Sequence, residues 1–241
     1  RHPHLELVEL NSFGCGLDAV VTDQVQEIMH QRGRLYTCLK IDQSLNLGAV
    51  RIRLRSLKAA IEERGEETGS AKPIEYPKAV FTEAMKRDKD YTILAPEMSP
   101  LHFPLIEAAV QREGYHIEII PPIHEDIDKG LACVNNDACY PAIITIGSLM
   151  RTLTSGKYDL SKTAVMLSQT GGMCRASNYI GFLHKALDEA GLSEIPVLSL
   201  NTHGFEPQPG FHFSLSMGRR MIQAVIYGDA LQQCLYRTRP Y

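Results

Sequence analysis

Apolar positions along this chain fall into short runs and helical stripes that alternate. Leu5 to Leu10 reads as a short strand, and Val21, Val25 and Ile28 then recur on one helical face that ends at Gly33. Leu35 to Ile41 predicts a second strand. Val50, Leu54, Leu57 and Ile61 follow at helical spacing, although Val50 to Arg55 taken alone also suits a strand. Glu62 to Pro77 is polar, with glycine, serine and proline, and is the candidate linker.

Beyond it the pattern predicts a short helix around Lys78 to Lys86, a strand from Tyr91 to Ala95, a helix from Pro104 to Arg112 ended by Gly114, and a strand from His116 to Ile120. Pro121-Pro122 breaks the chain. Pro141 opens a helix carrying Ile143, Ile146, Leu149 and Leu153, and Gly147 inside it is suited to the close approach of another backbone. Thr163 to Leu167 predicts a buried strand. Gly171-Gly172 marks a tight turn, and Ala176, Tyr179, Ile180, Leu183 and Leu187 recur at helical spacing after it. A strand from Ile195 to Leu200, a loop from Asn201 to Phe211 and a last helix from Ser214 to Leu235 complete the series.

Strands alternating with helices imply an α/β fold with a mainly parallel sheet and helices on both faces. The runs at Tyr91, His116, Thr163 and Ile195 are expected to form its four-strand parallel core. The two N-terminal strands are expected to form a smaller, incomplete α/β lobe. The expected division is residues 1–72 and 73–241, with the last helix able to pack back on the first lobe. In such folds ligands sit outside the carboxyl ends of the strands.

Charge narrows the partners. A net charge of -3 gives no reason to expect nucleic acid or a membrane surface. No apolar run is long enough to span a bilayer, and no stretch has the pattern of a signal or transit peptide, so a cytoplasmic location is expected. The chain opens at Arg1 without a methionine, and we expect a piece of a longer polypeptide.

The 6 cysteines, without a secretory signal, argue for reduced thiols or metal ligands rather than a disulfide framework. Cys15, Cys139 and Cys174 each stand at the start of a predicted helix. The helix dipole and unpaired N–H groups there favour thiolate, the metal-binding form. Three thiolates converging at one sheet edge would suit an iron–sulfur centre. Their spacings are long and no C-x-x-C is present, so ordinary buried or loop cysteines compete with that reading. Cys38 and Cys234 read as core residues, and Cys133 reads as core but is the first replacement should one of the three fail.

Other groups compete with the cysteines for a functional role. Arg51, Arg55 and Lys58 share one side of a helix; the plain reading is a solvated basic face, the sharper one a dock for an anionic ligand or partner. Arg175, next to Cys174, is expected to serve an anionic centre rather than the fold. Thr170-Gly171-Gly172 could cradle a phosphate, but lacks the Lys-Ser/Thr ending of a P-loop and the dinucleotide fingerprint. Ser99 and His102 stand close together without an identifiable acid partner. His102 and His203 read as solvated loop histidines.

Three motifs taken together carry a resemblance: Asn11-Ser12-Phe13-Gly14-Cys15-Gly16-Leu17-Asp18-Ala19, Asn135-Asn136-Asp137-Ala138-Cys139-Tyr140-Pro141, and Ser168-Gln169-Thr170-Gly171-Gly172-Met173-Cys174-Arg175-Ala176-Ser177-Asn178-Tyr179. With Leu39-Lys40-Ile41-Asp42, Leu94-Ala95-Pro96-Glu97-Met98-Ser99-Pro100 and Leu235-Tyr236-Arg237-Thr238-Arg239-Pro240-Tyr241, they cover nearly the whole chain. The chain resembles the C-terminal region of large CoA-enzyme-activase-related proteins. These are relatives of the activator and dehydratase components of 2-hydroxyacyl-CoA dehydratases and benzoyl-CoA reductases. The resemblance implies Rossmann-like α/β domains and a cysteine-held iron–sulfur cluster of the 4Fe–4S kind, with Cys15, Cys139 and Cys174 matching the motif cysteines. It also implies an actin-like ATPase activator region as partner, in the same polypeptide or another, possible work on an acyl-CoA, and a place in anaerobic electron transfer.

The expected function is therefore a cluster-bearing module of an ATP-driven, low-potential electron-transfer system of the acyl-CoA dehydratase type. Its rivals are a non-catalytic scaffold that docks the ATPase part, and a thiol redox domain. Because this chain carries no ATPase phosphate motif, any activase activity is expected to lie outside it.

Overall fold

In the computed structural model, residues 5–11, 17–41, 47–64, 78–135, 138–169, 179–201 and 208–239 are described. The runs at Tyr91, His116, Thr163 and Ile195 become strands of one four-stranded sheet. These are β3 (Thr92–Pro96), β4 (Ile117–Ile120), β5 (Thr163–Gln169) and β6 (Val197–Asn201), in the order β4-β3-β5-β6 with every pairing parallel. The two earlier runs, β1 (Leu7–Asn11) and β2 (Tyr36–Lys40), pair with each other in a separate parallel two-stranded sheet. The fold is α/β, with Rossmann-like parallel sheets flanked by helices.

The helices are α1 (Leu17–Gln31), α2 (Leu47–Arg64), α3 (Glu83–Arg87), α4 (Phe103–Gln111), α5 (Glu125–Cys133), α6 (Tyr140–Leu153), α7 (Tyr179–Glu189) and α8 (Leu215–Thr238). The ambiguous stretch from Val50 to Arg55 is helical, because it continues the stripe of Leu57 and Ile61 rather than pairing with a strand. α2 also runs into the expected linker as far as Arg64, and the remainder of that linker lies outside the described residues.

Two compact units emerge. The first takes in Arg1–Glu75 with Asn135–Cys139; the second is built on Tyr76–Val134 and most of the chain from Tyr140 on. In the first, α1 and α2 pack on β2, yet α2 has no buried residue, so this unit has little apolar core. Polar bonds supply much of its order. Thr22 donates to Glu9 at 2.9 Å, Asn11 donates to Thr22 at 3.2 Å, and Tyr36 also donates to Glu9. Burial, and then the carboxylate it faces, push the Tyr36 hydroxyl pKa far up, so it stays a donor.

In the second unit β3 is buried along its whole length, as a central parallel strand must be. One set of alternate side chains, including Ile93, Ala95, Ala164 and Met166, packs with Val110 of α4 and Met217 of α8. The other set, with Leu94, Val165 and Leu167, is equally buried on the opposite face, where α6 packs on β3 and α7 on β5. α8 packs along α4 within this unit.

α5 has no counterpart in the hydrophobic pattern. Its short run of acids around Ile127, with Gly130 inside, hides the helical period, while Glu125, Asp126 and Asp128 suit a first helical turn. Its partner is α6. A Cβ on Gly147 would stand 1.9 Å from the Asp126 carbonyl oxygen, and one on Gly130 would stand 2.1 Å from that of Ile143. The expectation that Gly147 admits another backbone is met, reciprocally. Asp126, fully buried, is paired with Arg151 of α6 and accepts from the Ile123 N–H at 2.8 Å.

Both glycines face backbone, which cannot swing away, so Gly147→Ala and Gly130→Ala should each cost about 3 kcal/mol in urea unfolding. Gly156→Ala, where a Cβ meets nothing and only a positive φ of 74° is strained, should cost about 1 kcal/mol. Equal losses at all three positions would contradict the close crossing.

Candidate functional site

The ligand edge of a parallel sheet is the carboxyl edge, and connectivity locates it here. α6 leads back to the start of β5, so it runs opposite to the strands, and its first turn stands at their carboxyl ends. Cys139 is the residue before that turn and is half-buried. It is sheltered yet reachable, at a helix start. Cys15 lies between β1 and α1 in the chain, and Cys174 between β5 and α7. Both, with Arg175, fall outside the described residues. Among the described residues no group of three or more His, Cys, Asp or Glu is placed to hold a metal ion.

The remaining cysteines separate from these by environment. Cys133 ends α5, half-buried, and burial pushes its thiol pKa up, with Glu189 adding to the shift and Lys129 opposing it. A protonated thiol is a poor ligand, which weakens Cys133 as a replacement. Cys38 is half-buried in β2, and its backbone carbonyl accepts from Arg53 at 2.9 Å. Cys234 is exposed, contrary to its reading as core. α8 turns Met217, Ala224 and Gly228 inward at helical spacing, and position 234 falls off that stripe.

Arg51, Arg55 and Lys58 all lie exposed on α2, and Lys58 stands 3.9 Å from Glu62 one turn on. Exposed pairs of this kind contribute little to stability.

The acid partner missing beside Ser99 and His102 comes from the last helix. His102 Nδ1 lies 2.8 Å from Ser99 Oγ, and Nε2 lies 3.0 Å from Asp229 Oδ1. The imidazole is only 14% exposed, so His102 is not the solvated loop residue its sequence context suggested; His203 lies outside the described residues. Gly228 makes the room: a Cβ there would meet the ring at 2.3 Å. The helical offset from Gly228 to Asp229 was the only sequence signal, and it has meaning only once α8 is known to lie on α4. The carboxylate is 69% exposed, and the Ser99 carbonyl accepts from the Phe103 N–H at 3.0 Å in the turn that starts α4. This chain of bonds braces α4 against α8.

No protein-family model, curated protein or solved structure matches the chain. No helix among the described residues is long and apolar enough to cross a membrane.

The Cys133 environment makes a direct prediction. Thiolate is the form that reacts with iodoacetamide, and a raised pKa means less of it at neutral pH. Alkylation of Cys133 in the folded protein should still be rising at a pH where the same thiol in the urea-unfolded protein has levelled off. Coincident profiles for the folded and unfolded protein would contradict the burial account.

Proposed function

We propose that this chain is an iron–sulfur-cluster-bearing module of an ATP-driven, low-potential electron-transfer system acting on or near acyl-CoA chemistry. Cys15, Cys139 and Cys174 are its thiolate ligands, and its partner is an actin-like ATPase activator region. The observation that supports the reading best is the common address of the three cysteines. Cys139 directly precedes α6, and Cys15 and Cys174 fall in the chain segments that follow β1 and β5 and lead into α1 and α7. In each parallel sheet such segments fall at the carboxyl edge, where helix N-termini stabilise negative charge. The motif resemblance supplies the chemical class.

The donor set fits the group: each of the three motifs carries one thiol, and soft thiolates are the ligands that iron–sulfur clusters take. When bound, the cluster would supply a one-electron store and, at an iron without a thiolate, a Lewis acid for a substrate oxygen. The chain's own residues hold and tune it. The thiolates bind it in deprotonated form, helix starts offset their charge, and Arg175 adds a fixed cation beside Cys174.

One observation favours the scaffold reading instead. α8 exposes Leu215, Ile222, Ile226 and Tyr227, the kind of apolar surface that partners cover. Iron separates the two. Anaerobically purified and reconstituted protein should contain iron and sulfide in similar amounts. Cys15→Ser, Cys139→Ser or Cys174→Ser should each remove most of it, whereas Cys38→Ser and Cys234→Ser should not. Arg175→Ala should leave the melting temperature nearly unchanged and lower cluster content or electron transfer. Wild-type protein that takes up no iron would leave the scaffold reading standing.

A further inference from the structure

The second unit contains a cavity of about 230 Å³ under α4 and α8, and no role described above uses it. Its wall is almost wholly apolar. Met98, Met166, Met217 and Met221 line it beside three phenylalanines, and among the described residues Ser168 is the only one in the lining with a polar side chain.

Three features separate it from a packing defect. First, it has a mouth and a floor: Met98 is 51% and Phe213 46% exposed, whereas Met217 is 0% and Ile117 2% exposed. Second, it is larger than the roughly 150 Å³ apolar cavity that suffices to hold a benzene ring and otherwise stays dry. Third, it stands where the topology directs a ligand. The sheet order β4-β3-β5-β6 means that the chain moves to one side of β3 and then returns to the other, so strand order reverses between β3 and β5. Crevices at such a reversal, at the strands' carboxyl ends, are the binding positions of open parallel sheets. Ala95 and Pro96 from the end of β3, and Met166 and Ser168 from the end of β5, line this cavity.

We propose that this cavity binds a small molecule with an apolar group of aromatic-ring or short-alkyl size, whose polar end lies at the mouth beside Ser168. Methionines suit that task because an unbranched, polarisable thioether adapts to the shape of its guest. With a single hydroxyl to satisfy among its described residues, the wall selects against charge inside and admits a hydrogen-bonding group at the strand ends. The inference stands on the second unit alone and does not depend on the cluster.

Benzyl alcohol and n-hexanol are suitable probes, titrated into the full chain labelled with ¹³C at the methionine methyl groups. Saturable shifts are expected at Met98, Met166, Met217 and Met221, with Met29 and Met150 unmoved. Ala95→Leu and Ile106→Phe each fill the cavity from its wall. Either should weaken binding about tenfold or more, the scale of one methylene's fit in an apolar pocket. If neither variant folds, the wild-type titration decides alone. The proposal is overturned if no methyl saturates, if Met29 and Met150 shift as much as the four, or if a folded filling variant binds as tightly as wild type.

Discussion

The parallel pairing of β3 with β4 on one side and β5 on the other is the constraint from which the second unit follows. A strand with two parallel neighbours is buried on both faces, so Thr92 to Pro96 can expose almost nothing, and both neighbours need helical crossovers. Those crossovers bring α4 to one face, where α8 joins it after β6, and α6 and α7 to the other. They also make the strand order reverse at β3, and that reversal opens the crevice lined by Ala95 and Met166. The α5–α6 crossing serves the same sheet. It brings two backbones together through Gly130 and Gly147, and so holds α6 against β3 with its start at the carboxyl edge, one residue after Cys139.

Much of this was legible in the chain. The four apolar runs of the main sheet, the two of the smaller one and the role of Gly147 are written in period and composition, because burial on a parallel sheet requires near-continuous apolar residues. What was hidden depends on distant contacts. α5 is too short and too acidic to show a stripe, and its stability comes from α6, including the pairing of Asp126 with Arg151. The tie from His102 to Asp229 joins residues far apart in sequence, and no local pattern announces it. Cys234 looked like a core residue because α8 is apolar on several sides, and only the line of Met217, Ala224 and Gly228 shows which side α4 covers. The cavity is likewise a property of packing. No pattern in the sequence sets its methionines apart.

The two candidate sites rest on different physics. The cysteine motifs occupy chain segments at helix starts, where charge is stabilised and backbone N–H groups are available. The cavity lies at the ends of β3 and β5 in the second unit, and its described lining has almost no polar surface. Burial raises the Cys133 thiol pKa, and Cys139 stands directly before α6.

The central claim is that three cysteines far apart in sequence share one site, and thiol proximity tests it most directly. The full chain, reduced and handled without oxygen, would be treated with dibromobimane, which bridges two thiols only when they lie close together, and the bridged peptides mapped by mass spectrometry. The account predicts bridges among Cys15, Cys139 and Cys174, lost when iron and sulfide are loaded first. Single-thiol adducts at all three, with no bridge joining any two of them, would contradict it.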